Sequence, residues 1–252
     1  MNKIQLSNDV IQYMFPPRSE TSPVGYNIVA VIDGDKALLI DVAFEDYAKQ
    51  AMDDLSAKGI TIDKIIITHF HSDHYSGLEA LPNIPFFGSI RFHETFAFYK
   101  TSEEEIRKYT PTTTVDTSTT IEFVRHKLEL IPAPGHSVDT LLVKINDQFL
   151  CVADELVFAN SGEQTLPYLC AGKSDAKIQM DALDNLEKYS HLTMIPGHGP
   201  AFEGQKVASS IKNLRAYLKT IIETDGNVTY EDAVKNCEYP LLCSDWHNNN
   251  CS

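Results

Sequence analysis

The chain has 252 residues, of which 43% are hydrophobic, so it can bury a large core. It carries 35 acidic against 21 basic residues, a formal net charge of -14, so a nucleic acid would meet a repulsive surface. No segment has the apolar core of a signal peptide or the length of a membrane span. We therefore expect a soluble, cytoplasmic protein without nucleic-acid or membrane partners.

The first half of the sequence predicts strands that alternate with helices. Apolar runs on both sides of Asp33-Gly34-Asp35 predict a β-hairpin, because Asp-Gly favours a tight turn. A helix is predicted over 44–58 and ends before Gly59, and an apolar strand follows over 63–68. We then expect a short helix over 75–81, a strand over 84–87, a broken helix over 92–108 and an irregular, threonine-rich connection over 110–120.

The second half predicts a run of short strands and then two long helices. The strands are expected over 120–124, 128–132, 140–145 and 149–153, and a helix capped by Ser174 over 174–189, a strand over 192–195 and a helix over 205–224 follow. This order suggests two sheets packed face to face with helices outside. No break in composition divides the chain, so we expect one domain over 1–252, with a core over about 25–200 and a helical extension over about 204–252. The five cysteines form no CxxC pair and are expected to be free thiols.

Seven side chains that can bind metal follow predicted strands. Four lie in one loop directly behind the apolar run Ile65-Ile66-Ile67, and two of the others are histidines that follow Pro-Gly. Glycine lets the backbone turn sharply enough to present the imidazole to a pocket. The set consists of His69, His71, Asp73, His74, His136, Asp154 and His198. Nitrogen and oxygen donors without thiolate suit two divalent metals, zinc above all, and also admit iron or manganese.

These motifs, in this order, resemble the metallo-β-lactamase superfamily. The resemblance rests on His-x-His-x-Asp-His over 69–74, Pro-Gly-His over 134–136, Asp154 and Pro-Gly-His-Gly over 196–199, and it covers about residues 25–200. It implies an α/β fold, a four-layer αβ/βα sandwich in which two mostly antiparallel sheets lie face to face with helices outside. It also implies that the metals lie at one edge, between the sheets.

The resemblance further implies a role for each candidate ligand. His69, His71 and His136 would hold a first metal, while Asp73, His74 and His198 would hold a second. Asp154 would bridge the two metals. Asp41, at the end of a predicted strand, matches a family aspartate that accepts a hydrogen bond from a ligating histidine, and a strand-end turn residue is the alternative interpretation.

The chemistry of such a centre predicts hydrolysis of a small molecule. Two metals about 3.5–4 Å apart would share a hydroxide, and the pKa of its parent water would fall toward ~7. Two dications outweigh the charges of Asp73, Asp154 and the hydroxide, so we expect an anionic or carbonyl-containing substrate. Asp73 would then carry the proton after attack on the carbonyl of a lactone, thioester, ester or related amide.

Other branches of the superfamily differ from this chain at identifiable positions. Flavodiiron oxidoreductases carry a glutamate at the place of His71, and the best-known β-lactamases have a cysteine ligand in the region of Asp154. Glyoxalase II-type thioesterases bind glutathione through a basic C-terminal segment, and residues 236–248 are not basic. The alternatives that stay open are a persulfide dioxygenase-like oxidoreductase with one iron, a β-lactam-hydrolysing member and a binding protein without catalysis.

Three further residues are candidates for the substrate pocket. Tyr168 follows Asp154 at a place where related lactonases have a tyrosine near the substrate, and Trp246 and His247 lie in the tail. Packing in the core is the alternative for each of them. Ala153 stands where many family members have glycine. A homodimer also stays open.

Overall fold

The computed structural model describes residues 1–169 and 175–251, and a seven-stranded sheet contains the first half of the chain. Its strands, in spatial order, are β1 (Asn2–Gln5), β2 (Val10–Phe15), β3 (Tyr26–Asp33), β4 (Lys36–Ile40), β5 (Thr61–Ile66), β6 (Phe86–Ser89) and β7 (Thr113–Val115). Pairs from β1 to β4 are antiparallel and pairs from β4 to β7 are parallel, so the sheet is mixed. The predicted hairpin is confirmed as β3 and β4.

A five-stranded sheet contains the second half. It consists of β8 (Thr119–Phe123), β9 (His126–Pro132), β10 (Leu141–Ile145), β11 (Phe149–Ala153) and β12 (Thr193–Pro196), in the spatial order β12-β11-β10-β9-β8. The pair β11–β12 is parallel, and the other three are antiparallel. The four strands predicted over 120–153 are thereby confirmed.

Eight α-helices and two 3-10 turns connect and cover the sheets in the described part of the chain. The helices are α1 (Glu45–Ser56), α2 (Ser72–Tyr75), α3 (Phe92–Phe98), α4 (Glu103–Lys108), α5 (Ala176–Glu187), α6 (Gln205–Glu223), α7 (Tyr230–Ala233) and α8 (His247–Asn250). The 3-10 turns are Ser76–Ala80 and Ser244–Trp246. None of these helices combines the length and the apolar character needed to cross a bilayer.

Three apolar clusters show that the sheets lie face to face with helices outside. Alternate residues of β3 point to opposite sides, as the strand period of two requires: Val29 and Val31 face the second sheet, whereas Ile28 and Ala30 face α1. Strands β10 and β11 alternate in the same way between the first sheet and the layer of α5 and α6. The fold is therefore the predicted four-layer α/β sandwich.

Some elements were not predicted, or lie outside the described residues. Strands β1 and β2 were not predicted, and the prediction of an irregular connection over 110–120 was wrong at β7. That strand has two exposed threonines and pairs only with β6, so it lacks the apolar alternation of a half-buried strand. The predicted cap Ser174 and the predicted free thiol Cys170 lie outside the described residues, and the other four cysteines are unpaired. Asp175 caps α5 by accepting from the backbone N–H groups of Lys177 and Ile178.

Candidate metal centre

The seven predicted ligands follow strands whose carboxyl ends meet at one edge of the sandwich. The loop after β5 carries four of them, and the turns after β9, β11 and β12 carry one each. Two backbone hydrogen bonds join the sheets at this edge, from Leu141 N to Thr68 O at 2.7 Å and from Asn27 N to Gly197 O at 3.0 Å. The strand ends are therefore held at fixed spacing before any ligand binds.

Two separate groups of three ligand atoms lie at this edge, and Asp154 forms with His69 and His74 a third group that overlaps both. In the first group, His71 Nδ1 lies 3.1 Å from His69 Nε2 and 2.9 Å from His136 Nε2. In the second, Asp73 Oδ2 lies 3.5 Å from His198 Nε2 and 3.9 Å from His74 Nε2. Within each group the ligand atoms all lie within 4.8 Å of one another, close enough to hold one ion.

The carboxylate of Asp154 lies between the two groups. Its Oδ2 is 3.7 Å from His136 Nε2 and 4.0 Å from His69 Nε2 on one side. On the other side it is 3.0 Å from His198 Nε2, and Oδ1 is 3.5 Å from His74 Nε2. One carboxylate therefore reaches both triads.

The outward nitrogens of several rings are anchored by the protein. His74 Nδ1 donates to Asp41 Oδ2 at 2.9 Å, so Asp41 occupies the predicted supporting position. His198 Nδ1 donates to the carbonyl oxygen of Gly25 at 2.5 Å. Each of these hydrogen bonds fixes the tautomer that leaves the lone pair of Nε2 pointing inward, as metal-ligating histidines require. His71 Nε2 lies 3.2 Å from Tyr99 Oη.

Burial and mutual repulsion set the protonation of the first triad. Burial, reinforced by neighbouring histidines, lowers the pKa of His69 well below its usual value and lowers the pKa of His71 and of His136 to about 4. These three rings are consequently neutral near neutral pH, and a neutral imidazole is the form that binds metal.

Asp154 dominates the electrostatics of the second triad. Burial acts to lower the pKa of His74 and His198, but the negative charges of Asp154 and Asp73, joined by Asp41 beside His74, together outweigh it and raise both. Burial acts in the opposite sense on Asp154, where His198 and His74 hold the pKa of the carboxyl well below its usual range. Negative charge is therefore concentrated where the two triads meet.

The donor set fits metal ions better than it fits a network of hydrogen bonds. His74 Nε2 and Asp154 Oδ1 are buried, and neither has a well-aligned hydrogen-bond partner within the described residues. His71 Nδ1 faces two imidazole nitrogens at about the distance of a hydrogen bond, and each neutral ring has only one N–H to donate. Cations at the two triads would satisfy the inward-pointing lone pairs.

Two glycines allow the strand ends to approach the site. A Cβ on Gly197 would lie 2.3 Å from Asp154 Oδ1 and 2.8 Å from His74 Cε1. A Cβ on Gly135 would lie 2.1 Å from an oxygen of Glu155. The glycines of both Pro-Gly-His motifs are therefore required for packing at the centre as well as for the turn.

Two buried acidic side chains that were not predicted as part of the site hold the histidine loops in place. Asp139 Oδ2 accepts from Phe70 N at 3.0 Å, and its Oδ1 accepts from Thr95 Oγ1 at 2.8 Å. Glu155 accepts from His136 N at 3.0 Å, and burial raises the pKa of its carboxyl to about 8. An acidic residue three positions after His136 and another directly after Asp154 were the available signals.

A cavity of about 440 Å³ opens over the centre, and both predicted aromatic side chains line it. Tyr168 and Trp246 form one wall, and Tyr26, which packs edge-on against His198 with ring centroids 5.5 Å apart, belongs to the lining as well. The expectation that His247 lies at this pocket was wrong. Its ring is buried in the helical extension, where Nδ1 lies 3.0 Å from Tyr217 Oη and Nε2 donates to Val228 O at 2.9 Å.

Comparison with known proteins agrees with the fold and the centre. The family described as the Metallo-beta-lactamase superfamily matches residues 21–198. The chain belongs to the metallo-β-lactamase superfamily. The family match and the clustered histidines and aspartates together indicate a metal-dependent hydrolase of this superfamily.

Individual relatives are distant. The chain is 24% identical to the "Beta-lactamase-like protein 2 homolog" of Drosophila melanogaster over 79% of this chain and 67% of that protein. It is 24% identical to the "Atrochrysone carboxyl ACP thioesterase" of Passalora fulva over 71% of this chain and 50% of that protein. The chain thus spans about one half to two thirds of the length of these relatives. A solved metallo-beta-lactamase from Pontibacter korlensis superposes with a TM-score of 0.71 at 20% identity, covering 86% of this chain and 98% of the other, which shows the fold alone.

Proposed function

We propose that the protein is a dinuclear metal hydrolase that cleaves a carbonyl substrate, namely a lactone, a thioester or a related ester. The observation that supports this most strongly is the pair of three-ligand groups with Asp154 between them. One triad would serve one metal, whereas the second triad and a shared carboxylate suit two. The Passalora fulva relative is named as a thioesterase, which favours a thioester within this class.

In this proposal the ligands divide between two metals. His69, His71 and His136 would hold the first and Asp73, His74 and His198 the second, and Asp154 would contact both. Zinc is the proposed metal, because nitrogen and carboxylate donors without thiolate suit it. Such metals supply a water of lowered pKa and polarise the carbonyl of the substrate.

The side chains of this chain then orient the reactants and move a proton. Asp73 lines the cavity, and its side chain is 27% exposed, so its carboxylate can reach a molecule bound there. We assign to Asp73 Oδ1, the oxygen of this carboxylate that does not face the second triad, the proton that the attacking water releases and that the leaving group takes up. Phe70, Phe96 and Val157 line the same cavity and exclude water from the reacting carbonyl.

The experiment measures turnover of the zinc-loaded protein on thioesters, lactones, simple esters, β-lactams and phosphodiesters. We expect hydrolysis of a thioester or a lactone, which is lost in His71→Ala. His93→Ala is the matched control, because His93 is an exposed histidine whose Nδ1 lies 2.9 Å from the carbonyl oxygen of Ile90.

Two results would contradict the proposed function. The first is a fully metal-loaded protein without turnover of any carbonyl substrate. The second is one iron per chain together with oxygen consumption on glutathione persulfide, which would establish the dioxygenase alternative. Preferential turnover of β-lactams would instead identify a β-lactam-hydrolysing member and exclude the thioester and lactone preference.

A further inference from the structure

The C-terminal extension supplies one wall of the cavity. Trp246, in the 3-10 turn before α8, packs edge-on against Tyr168 with ring centroids 5.4 Å apart and an interplanar angle of 81°. Both rings line the cavity over the metal centre. Tyr168 is 39% exposed, so much of its ring is available to a bound molecule.

Asn250 in α8 fixes the backbone on both sides of Tyr168. Its Oδ1 accepts from Leu169 N at 3.0 Å, and its Nδ2 donates to the carbonyl of Pro167 at 2.8 Å. The same Nδ2 also lies 3.1 Å from Tyr217 Oη on α6. The Asn250 side chain is buried, so its amide takes the place of water for these two backbone groups.

His247 anchors α8 itself. Tyr217 and the carbonyl of Val228 hold the two nitrogens of its ring, at 3.0 Å and 2.9 Å. Tyr217 therefore contacts both His247 and Asn250 and connects the tail to α6, the longest helix in the described part of the chain. The position of the Tyr168 ring thus depends on a residue more than eighty positions later in the sequence.

The wall and the rings opposite it form an uncharged aromatic surface. Tyr26, Tyr75, Phe96 and Tyr99 line the cavity together with Tyr168 and Trp246. Among the lining residues that the structure describes, none is lysine or arginine. Aromatic rings of this kind contact flat or apolar groups through their faces and edges, and they offer a carboxylate no counter-charge.

We propose that Tyr168 and Trp246 form a subsite for an uncharged aromatic or flat apolar acyl group, and that Asn250 is the positioning residue of this subsite. The inference rests on the proposed function, because it assigns the acyl portion of the substrate to one wall of the same cavity. The metal centre would act on the carbonyl of the substrate, and the wall would select the acyl group that carries this carbonyl.

Trp246 is the only tryptophan of the chain, so its fluorescence reports binding at the wall without any turnover. The metal-loaded protein is titrated with phenylacetamide, with phenylacetamide that carries a carboxylate at the 4-position of its ring, and with acetamide. We expect a saturable change in fluorescence with phenylacetamide at concentrations at which acetamide produces none. Tighter binding of the ring carboxylate than of phenylacetamide itself would overturn the preference for an uncharged group.

Variants distinguish the positioning role of Asn250 from an effect on general stability. Asn250→Leu removes both backbone hydrogen bonds, and a misplaced wall should weaken phenylacetamide binding by on the order of 10-fold. Its KM for a phenylacetyl thioester should rise to a similar extent, while its KM for the acetyl thioester and both kcat values stay unchanged. An equal effect on both thioesters would show a merely structural role and overturn the assignment of Asn250.

If Asn250→Leu does not fold, Tyr168→Ala tests the subsite instead. It removes an exposed ring and leaves Trp246 as the fluorescent reporter. It should abolish the preference for phenylacetamide, and Ile178→Ala, at a similar exposure of 38% but outside the cavity, should not. An unchanged preference in Tyr168→Ala would overturn the subsite. Saturable binding of phenylacetamide without hydrolysis of any ester would contradict the proposed function but not the subsite. Hydrolysis without any preference for the phenylacetyl over the acetyl group would contradict the subsite but not the proposed function.

Discussion

The carboxylate of Asp41 and the imidazole of His74 are joined by a hydrogen bond of 2.9 Å between Oδ2 and Nδ1. The same carboxylate accepts from Thr68 N at 2.8 Å and from Thr68 Oγ1 at 2.7 Å. Asp41 therefore connects the end of β4 both to a ligand of the second triad and to the start of the histidine loop. Its own backbone lies in the left-handed region, with φ of 56°, a conformation that residues with a Cβ rarely adopt.

Asp41→Asn should weaken the second metal site while leaving the fold intact. The amide has nearly the same shape, but its NH2 group replaces one of the two acceptor oxygens, so either Thr68 N or His74 Nδ1 then faces a donor and the ring is held less firmly. Loss of such a partner typically lowers metal affinity or activity by about 10–100-fold. Metal titration against a competing chelator measures this, and an unchanged affinity of the second metal would contradict the supporting role.

Gly197→Ala should disrupt metal binding although Gly197 is not a ligand. The added methyl group would lie 2.3 Å from Asp154 Oδ1, so either the carboxylate or the strand end must move. We expect reduced occupancy of both metals, because Asp154 lies between both triads. Gly34→Ala is a control for general loss of stability: its φ of 61° strains an alanine, but nothing lies within 4 Å of the added Cβ, so metal occupancy should not fall. Full occupancy of both metal sites in Gly197→Ala would show that the surrounding residues can move to accommodate the added methyl group.

Ala153→Gly should stabilise the protein. Ala153 ends β11 with φ of 49°, a left-handed conformation in which a Cβ is unfavourable. Glycine relieves this strain but gains freedom in the unfolded chain, so the net increase in the free energy of unfolding should be about 0.5–1 kcal/mol. Denaturant unfolding of the two proteins measures the difference, and a clear loss of stability would argue against strain at this position.

A surface cluster around Asp54 makes part of the stability depend on pH. Asp54 Oδ2 accepts from Lys3, Lys58 and Tyr13, each at 2.7 Å, and this joins α1 to β1 and β2. Partial burial acts to raise the pKa of Asp54, but the hydrogen bonds from Lys3, Lys58 and Tyr13 outweigh it and lower the pKa. Because the folded state holds the carboxylate ionised, its contribution is complete above the usual pKa of aspartate and is lost as the pH falls toward the lowered value.

Asp54→Asn should therefore cost stability at neutral pH and less in acid. We expect about 1 kcal/mol at neutral pH, a modest value because the group is partly solvated and screened. The difference between the wild type and the variant should shrink once the pH falls below about 4. Urea unfolding across this range measures it, and a difference independent of pH would contradict the electrostatic origin.

The parts of the fold that local sequence determines were predicted correctly. Asp-Gly at 33–34 predicts its hairpin, and each Pro-Gly-His motif predicts a turn at a strand end, because the signal and the structure lie within a few residues. Strand β7 lacks such a signal, since two exposed threonines become a strand only by pairing with β6.

The ligands could be predicted, but their supports depend on long-range contacts. The chain itself presents His69, His71, Asp73 and His74 from one loop. Asp139 supports the loop by accepting a hydrogen bond from Phe70 N, which is 69 positions away, and no sequence pattern predicts that contact. His247 was misplaced for a similar reason, because Tyr217 and Val228 bind both of its ring nitrogens away from the cavity.

The most direct test of the two-metal centre is the metal content per chain, measured by elemental analysis after zinc loading and removal of loosely bound ions. We predict two zinc ions in the wild type and in His93→Ala, and one in Asp73→Ala, accompanied by a large loss of turnover. Asp73 is partly exposed, so its removal should leave the unfolding of the metal-free protein unchanged. Two zinc ions and full turnover in Asp73→Ala, or a single ion in the wild type, would contradict the account.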